Sequence, residues 1–290
     1  MRELTHTVAP EDDGRFIKDV LRKRMGLSTR QMNRLKRQGG MLLGGAPVHA
    51  NARVRAGEVV AARLEEEGDQ ALLPEPGPLE ILYEDDDLLI LDKPAPLPCQ
   101  ATPGQPGGAL ANRLAARYGA PYVFRPVNRL DKGTSGLMAV AKHAHAHNLL
   151  RQALHTPDFV RAYEAVCVGA PQPPAGWIDL PIAKAPGATV RRRVDPEGKS
   201  ARTWYETMAV HGGYAHLRLV LDTGRTHQIR VHLSHLGCPI AGDFLYGQED
   251  PRLPGRFALH ASAIALRQPI TGRALRFASP LPAPLRLWER

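Results

Sequence analysis

The sequence predicts an α+β protein, with a small helix-rich module followed by a larger domain on a mixed or antiparallel sheet. Charge and periodicity both change near residue 65, and past that point strands outnumber helices without a regular βαβ alternation. Between the two parts runs LEEEGDQALLPEPGP, acidic and then Pro-rich, which reads as a linker. The expected boundaries are a module over 1–64, a linker over 65–78 and a larger domain over 79–290.

In the first part, Phe16, Ile17, Val20 and Leu21 recur at helical spacing until Gly26. Ser28 opens a second helix with Gln31 at its third position, the pattern of a capping box. Met32 and Leu35 face inward on that helix. Arg30, Arg34, Lys36 and Arg37 are left to solvent, and Gly39-Gly40 stops it. Short apolar stretches between glycine turns follow, as expected of a few small strands.

From Leu79, ILYEDDDLLILDKP reads as strand, acidic turn and strand, ended by Pro94. ALANRLAARYG is helical and closed by Gly119. RPVNRL and SGLMAVAK read as short strands flanking a turn at Asp131, and HAHAHNLLRQALHT as a helix. FVRAYEAVCVG alternates like a strand, and YETMAVHGGYAHLRLVL is a hairpin across His211-Gly212-Gly213. HQIRVHLSHLG is a helix with Ile229, Leu233 and Leu236 inward and Gly237 at its end.

The chain has 290 residues, 43% of them hydrophobic, enough for a sizeable core. Its formal charge is +9, which favours a polyanionic partner. Residues 1–64 hold 13 Lys and Arg against 6 Asp and Glu, whereas the remainder holds 25 against 23. The excess thus lies in the first fifth of the chain, where clustered basic side chains suit phosphate contacts as well as plain solubility. No apolar run has the roughly 18 residues that a membrane span needs, so no membrane partner is expected. The N-terminal stretch lacks the basic and apolar regions of a secretory signal. Cys99, Cys167 and Cys238 form no CxxC pair, and the cytoplasm is the expected compartment.

Metal and nucleotide motifs find little support. His227 lies five residues before His232, and no carboxylate separates His227, His232 and His235; of His143, His145 and His147 only the outer two could meet on a helix. Neither GxxxxGK[ST], GxGxxG after a strand, nor GxSxG is present. No metal and no cofactor is expected.

Asp131 is the residue that asks for chemistry. An aspartate before a turn ordinarily caps backbone amides. Here Arg129 and Lys132 flank it, which would favour its ionised form, and the small Gly-Thr-Ser-Gly turn leaves room for a bulky substrate. Tyr163, Arg225 and Arg230 are candidate partners. A carboxylate with a tyrosine and an arginine suits covalent or proton-transfer chemistry on a neutral substrate.

NRLDKGTSGLMAVAK resembles the central motif of the RluA-type RNA pseudouridine synthases. LDKPAPLPCQATPG before it resembles the same family, as do RAYEAVCVG, TGRTHQIRVHLSHLGCPIAGDFLYG and FALHASAIAL after it. The helix, GLS turn, basic helix and small strands of about residues 14–64 resemble the S-four-type RNA-binding module. The resemblance implies a pseudouridine synthase catalytic domain that isomerises uridine in structured RNA without cofactor or metal. It gives Asp131 the place of the essential aspartate, Tyr163 that of an active-site tyrosine and Arg230 that of the arginine paired with the aspartate. Arg129 takes the place of the arginine that helps displace the target base, and Arg30, Arg34, Lys36 and Arg37 would contact RNA. Asn128 stands where the family commonly has histidine. Ribosomal RNA of the large subunit is the expected target ahead of transfer RNA, and a monomer the expected state. The competing reading is a non-catalytic RNA-binding or ribosome-assembly protein that keeps the fold; it has no need of Asp131, Tyr163 and Arg230 together.

Overall fold

The structure is a computed structural model that describes residues 2–64, 72–102, 104–119 and 122–289. The first module comprises β1 (Arg2–Thr7), α1 (Ile17–Met25), α2 (Thr29–Gln38), β2 (Met41–Leu43), β3 (Ala46–Pro47) and β4 (Val59–Leu64). Its four strands are ordered β1-β4-β2-β3, with β1 antiparallel to β4. The two helices therefore rest on a sheet more extensive than "helix-rich" implies. Strand β1 escapes a sequence reading because RELTHT holds one apolar residue, Leu4, and shows no alternation.

Local chemistry accounts for the helix ends. The Ser28 hydroxyl accepts from the Gln31 amide while Gln31 Oε1 accepts from the Ser28 amide, so both ends of the capping box form. Gly26 and Gly39 close α1 and α2 in the left-handed region. Ile17, Val20, Leu21, Met32 and Leu35 bury against Leu4, Met41 and Val60 in a core separate from that of the larger domain.

The larger domain runs β5 (Glu80–Glu84), β6 (Leu88–Lys93), α3 (Leu110–Tyr118), β7 (Ser135–Ala141), α4 (Ala144–Ala153) and β8 (Phe159–Val168). β9 (Ala175–Asp179), β10 (Ile182–Lys184), β11 (Arg192–Val194), β12 (Arg202–His211) and β13 (Tyr214–Leu221) follow. Last come α5 (Gln228–His235), β14 (Leu259–Arg267) and β15 (Ala274–Ala278). Nine strands form one sheet in the order β5-β6-β7-β14-β8-β13-β12-β9, with β15 also on β14. β7 and β14 pair in parallel and their other neighbours are antiparallel, so the sheet is mixed, as expected.

β6 and β7 are buried on both faces, and strand alternation sorts their side chains between them. Leu89, Leu91, Met138 and Val140 face α3, where Leu110 and Leu114 meet them. Leu88, Ile90, Leu137 and Ala139 face α4 and its Leu150. Helix α5 adds Ile229 and Leu233 to the first layer, and its Val231 packs on the β10–β11 hairpin through Ile182.

Two details depart from expectation. RPVNRL is no strand: Pro126 has no amide to donate, and the segment keeps one bridge, to Val140, beside β7. Leu236 is the C-cap of α5 and stands exposed rather than inward. The first half of the expected linker, 65–71, lies outside the described residues. Residues 72–78 are irregular and follow α3, with Asn112 Nδ2 donating to Leu73 O and Arg113 Nη1 to Pro78 O. The module touches α4, where Asn148 Nδ2 donates to Gly26 O at 3.0 Å. No helix of the described residues is long and apolar enough to cross a membrane.

Candidate active site

Asp131 sits on the turn that feeds β7. That turn is closed by main chain, with the Thr134 amide donating to Asp131 O at 3.1 Å. The carboxylate itself accepts from no backbone amide among the described residues. Its partners are Arg230 Nη1, 3.0 Å from Oδ2, and His227 Nε2 at 3.9 Å. A capping aspartate would spend its oxygens on local amides; this one turns them toward two cationic or ionisable side chains nearly a hundred residues away.

The turn is shaped by close approaches. A Cβ on Gly133 would lie 2.7 Å from the Phe257 ring, and that ring stacks under the Arg230 guanidinium at 4.2 Å. Gly136, at φ +110°, lies so close to β14 that a Cβ would fall 2.3 Å from Ala261 O. Asn128 is buried and takes a ladder place beside β7, accepting from the Ala139 amide at 2.9 Å. Asn128 thereby clamps the segment leading to Asp131.

Arg230 is fixed from behind. Asp243, fully buried, accepts from its Nε at 2.7 Å and its Nη2 at 2.8 Å. The two parallel bonds leave Nη1 aimed at Asp131. Burial works against the arginine's charge, but Asp243 and Asp131 outweigh it and hold the guanidinium protonated. Asp243 also accepts from the Leu245 and Tyr246 amides, which anchors the fork.

Tyr163, on β8, is buried, and burial pushes its phenol up, so it stays protonated at neutral pH. His227 takes the left-handed backbone conformation at φ +58°, the single non-glycine to do so among the described residues. Its Nδ1 bonds Tyr246 Oη at 2.8 Å, and burial lowers its proton affinity. Beneath the turn, the buried Lys93 ammonium donates to Pro94 O and Leu97 O, and burial brings its pKa down to about 8.

Asp131, Tyr163, Arg230, Arg129 and Arg225 line one cavity of about 930 Å³. Arg129 is exposed at its wall. Arg225 does not reach Asp131; its Nε donates to Ser200 O. On α2, Arg30, Lys36 and Arg37 are exposed and Arg34 is half-exposed, far from this cluster in sequence and on the other core. Arg24 on α1 is neutralised by Asp12 and Glu11. The histidines have other duties: His232 bonds Thr203 Oγ1 and Leu180 O, and His143 caps α4 while bonding Asp87. Asp243, His227 and Tyr246 escaped the sequence reading as site residues, since nothing in CPIAGDFLYG marks its acid as an arginine's partner.

A cavity of this size admits a nucleotide, with one partly exposed carboxylate oriented by a buried arginine and a protonated phenol nearby. Residues 87–235 match the family model described as RNA pseudouridylate synthase. The uncharacterized RNA pseudouridine synthase YjbO of Bacillus subtilis (strain 168) is 36% identical over 89% of this chain and 93% of its own length. The chain belongs to the RNA pseudouridylate synthase family. It is accordingly an isomerase, and RNA is its substrate. The ribosomal large subunit pseudouridine synthase D of Escherichia coli K12 is 38% identical over 79% of this chain and 75% of its own. Among solved structures, human RNA Pseudouridylate Synthase Domain Containing 1 superposes with a TM-score of 0.57 at 26% identity. That match covers 71% of this synthase and 86% of the human chain.

Proposed function

We propose that this synthase converts uridine to pseudouridine in structured RNA, with Asp131 as the catalytic residue and large-subunit ribosomal RNA as the target ahead of transfer RNA. The observation that carries the reading is Arg230, forked on buried Asp243 and presenting its remaining nitrogen to Asp131 at 3.0 Å. Such a fork aims a carboxylate without capping it. The similarity to a large-subunit ribosomal RNA synthase supports the preferred target.

The reaction needs the C1′–N1 bond to break and a C1′–C5 bond to form, with one proton leaving C5 and one arriving at N1. Nothing is oxidised or reduced, and no cofactor is required. The target base first leaves its stack, and Arg129 at the cavity wall fills the vacated place. Tyr163 packs against the uracil and its phenol is available to move a proton. Asp131 acts at the sugar or the base. The S-four-like module over 1–64 holds flanking RNA through Arg30, Arg34, Lys36 and Arg37, and a cytoplasmic monomer is the working state. Mapping pseudouridine across cellular RNA with and without this chain tests the proposal. Loss of one or a few sites in large-subunit ribosomal RNA is expected; an unchanged map would refute it, and losses confined to transfer RNA would refute the target.

A further inference from the structure

Arg161 lies two residues before Tyr163 on β8, so strand alternation puts both on one face, and both line the cavity of Asp131. It is 4% exposed, yet no carboxylate among the described residues pairs with it. Its Nε has no hydrogen-bond partner. Its Nη2 reaches only the Leu154 and Leu221 carbonyls, at 3.4 Å each, and Nη1 faces Gly224, where a Cβ would stand 3.0 Å away. Asp222, the nearest acid in sequence to that rim, is engaged by Arg202.

A guanidinium does not shed its charge by deprotonating. Burial disfavours that charge; Asp222, already paired with Arg202, acts on it only at a distance, and no carboxylate bonds it among the described residues. The other buried arginine of the site shows the contrast: Arg230 has two carboxylates. Arg161 is therefore built to receive an anion from outside. The cavity holds one acid, Asp131, among the described residues and five further arginines at 125, 129, 151, 225 and 230. The anion that must enter with a flipped nucleotide is the phosphodiester attached to it, because the uracil is neutral and the strand is not.

We propose that Arg161 binds a phosphodiester of the substrate RNA next to the uridine held at Asp131, with Gly224 leaving the space for that approach. The proposal rests on the reading of this cavity as the uridine site. Arg161 is then a positioning residue: it seats the backbone so that Tyr163, on the same strand face, meets the base.

Arg161→Met and Arg161→Lys in the full chain test it, with RNA from cells lacking this protein as the probe. Removing an unpaired buried charge should leave the melting temperature unchanged or higher. Arg161→Met should raise KM about tenfold, with a smaller effect on kcat, and its plot of log affinity against log salt should be shallower by about 1, one phosphate contact. Arg161→Lys should recover part of both. A lower melting temperature with unchanged KM and salt slope would make Arg161 structural and overturn the proposal. Inorganic phosphate at constant ionic strength separates the sources: stabilisation of the unaltered chain but not of Arg161→Met, with identical RNA parameters for both, would assign the site to free phosphate and also overturn it. Wild-type protein that binds this RNA but forms no pseudouridine would defeat the proposed function alone, since affinity and salt slope still judge Arg161.

Discussion

Arg230 serves two carboxylates of opposite exposure, and the difference between them divides their roles. Asp243 is fully buried and takes two bonds, whereas the Asp131 side chain retains 28% of its surface. Breaking a buried ion pair by removing one partner's charge costs about 3–5 kcal/mol. Asp243→Asn is predicted to destabilise the fold by about 3 kcal/mol and to slow pseudouridine formation by on the order of a hundredfold, while RNA affinity holds. Denaturant unfolding and single-turnover kinetics check this; a rate within twofold of the unaltered protein would show that Arg230 needs no anchor. The sequence grouped Asp131, Tyr163 and Arg230, and the three line one cavity in which Asp131 and Arg230 pair. Asp243, His227 and Lys93 were not legible there, since their meaning comes from partners brought close only by the sheet and by α5.

β7 and its turn are where element geometry constrains the site most. Gly136 combines a left-handed φ of +110° with main chain of β14 at 2.3 Å from where a Cβ would lie, and backbone cannot yield as a side chain would. Gly136→Ala is predicted to cost at least about 3 kcal/mol, a fall of roughly 6–12 °C in melting temperature. A thermal melt within 2 °C of the unaltered protein would contradict the close packing of β7 on β14. Elements with a strong local signature were readable: the Ser28 capping box, the hairpin of β12 and β13, and the strand-turn-strand of β5 and β6. β1 was not, having one apolar residue in six, and RPVNRL misled because its apolar residues sit beside Pro126 and Asn128. Leu236 misled for a related reason: helical spacing continues past the point where Gly237 turns the chain.

Charge and protonation act on the whole molecule. Reversing Arg30, Lys36 and Arg37 to glutamate should weaken RNA binding and flatten its salt dependence by up to about 3 in log–log slope, with little change in melting temperature. An unchanged slope would remove the first module from the RNA interface. His147, His227, His232 and His260 are all held below the ordinary histidine value by burial. Each native ring then binds a proton less readily than in the unfolded chain, so the unfolded state gains protons first as pH falls. Stability is complete above about pH 6.5 and is lost on acidification from there, so the melting temperature should drop between pH 7 and 5. A flat profile across that range would contradict the burial of these rings.

The central claim, that Asp131 reacts rather than caps its turn, is tested most directly by Asp131→Asn in the full chain, assayed for pseudouridine on RNA from cells lacking the protein. The amide keeps the shape but can neither attack nor usefully accept a proton at neutral pH. The account predicts a folded protein that binds this RNA as the unaltered chain does and forms no detectable pseudouridine; substantial pseudouridine from the folded variant would contradict it.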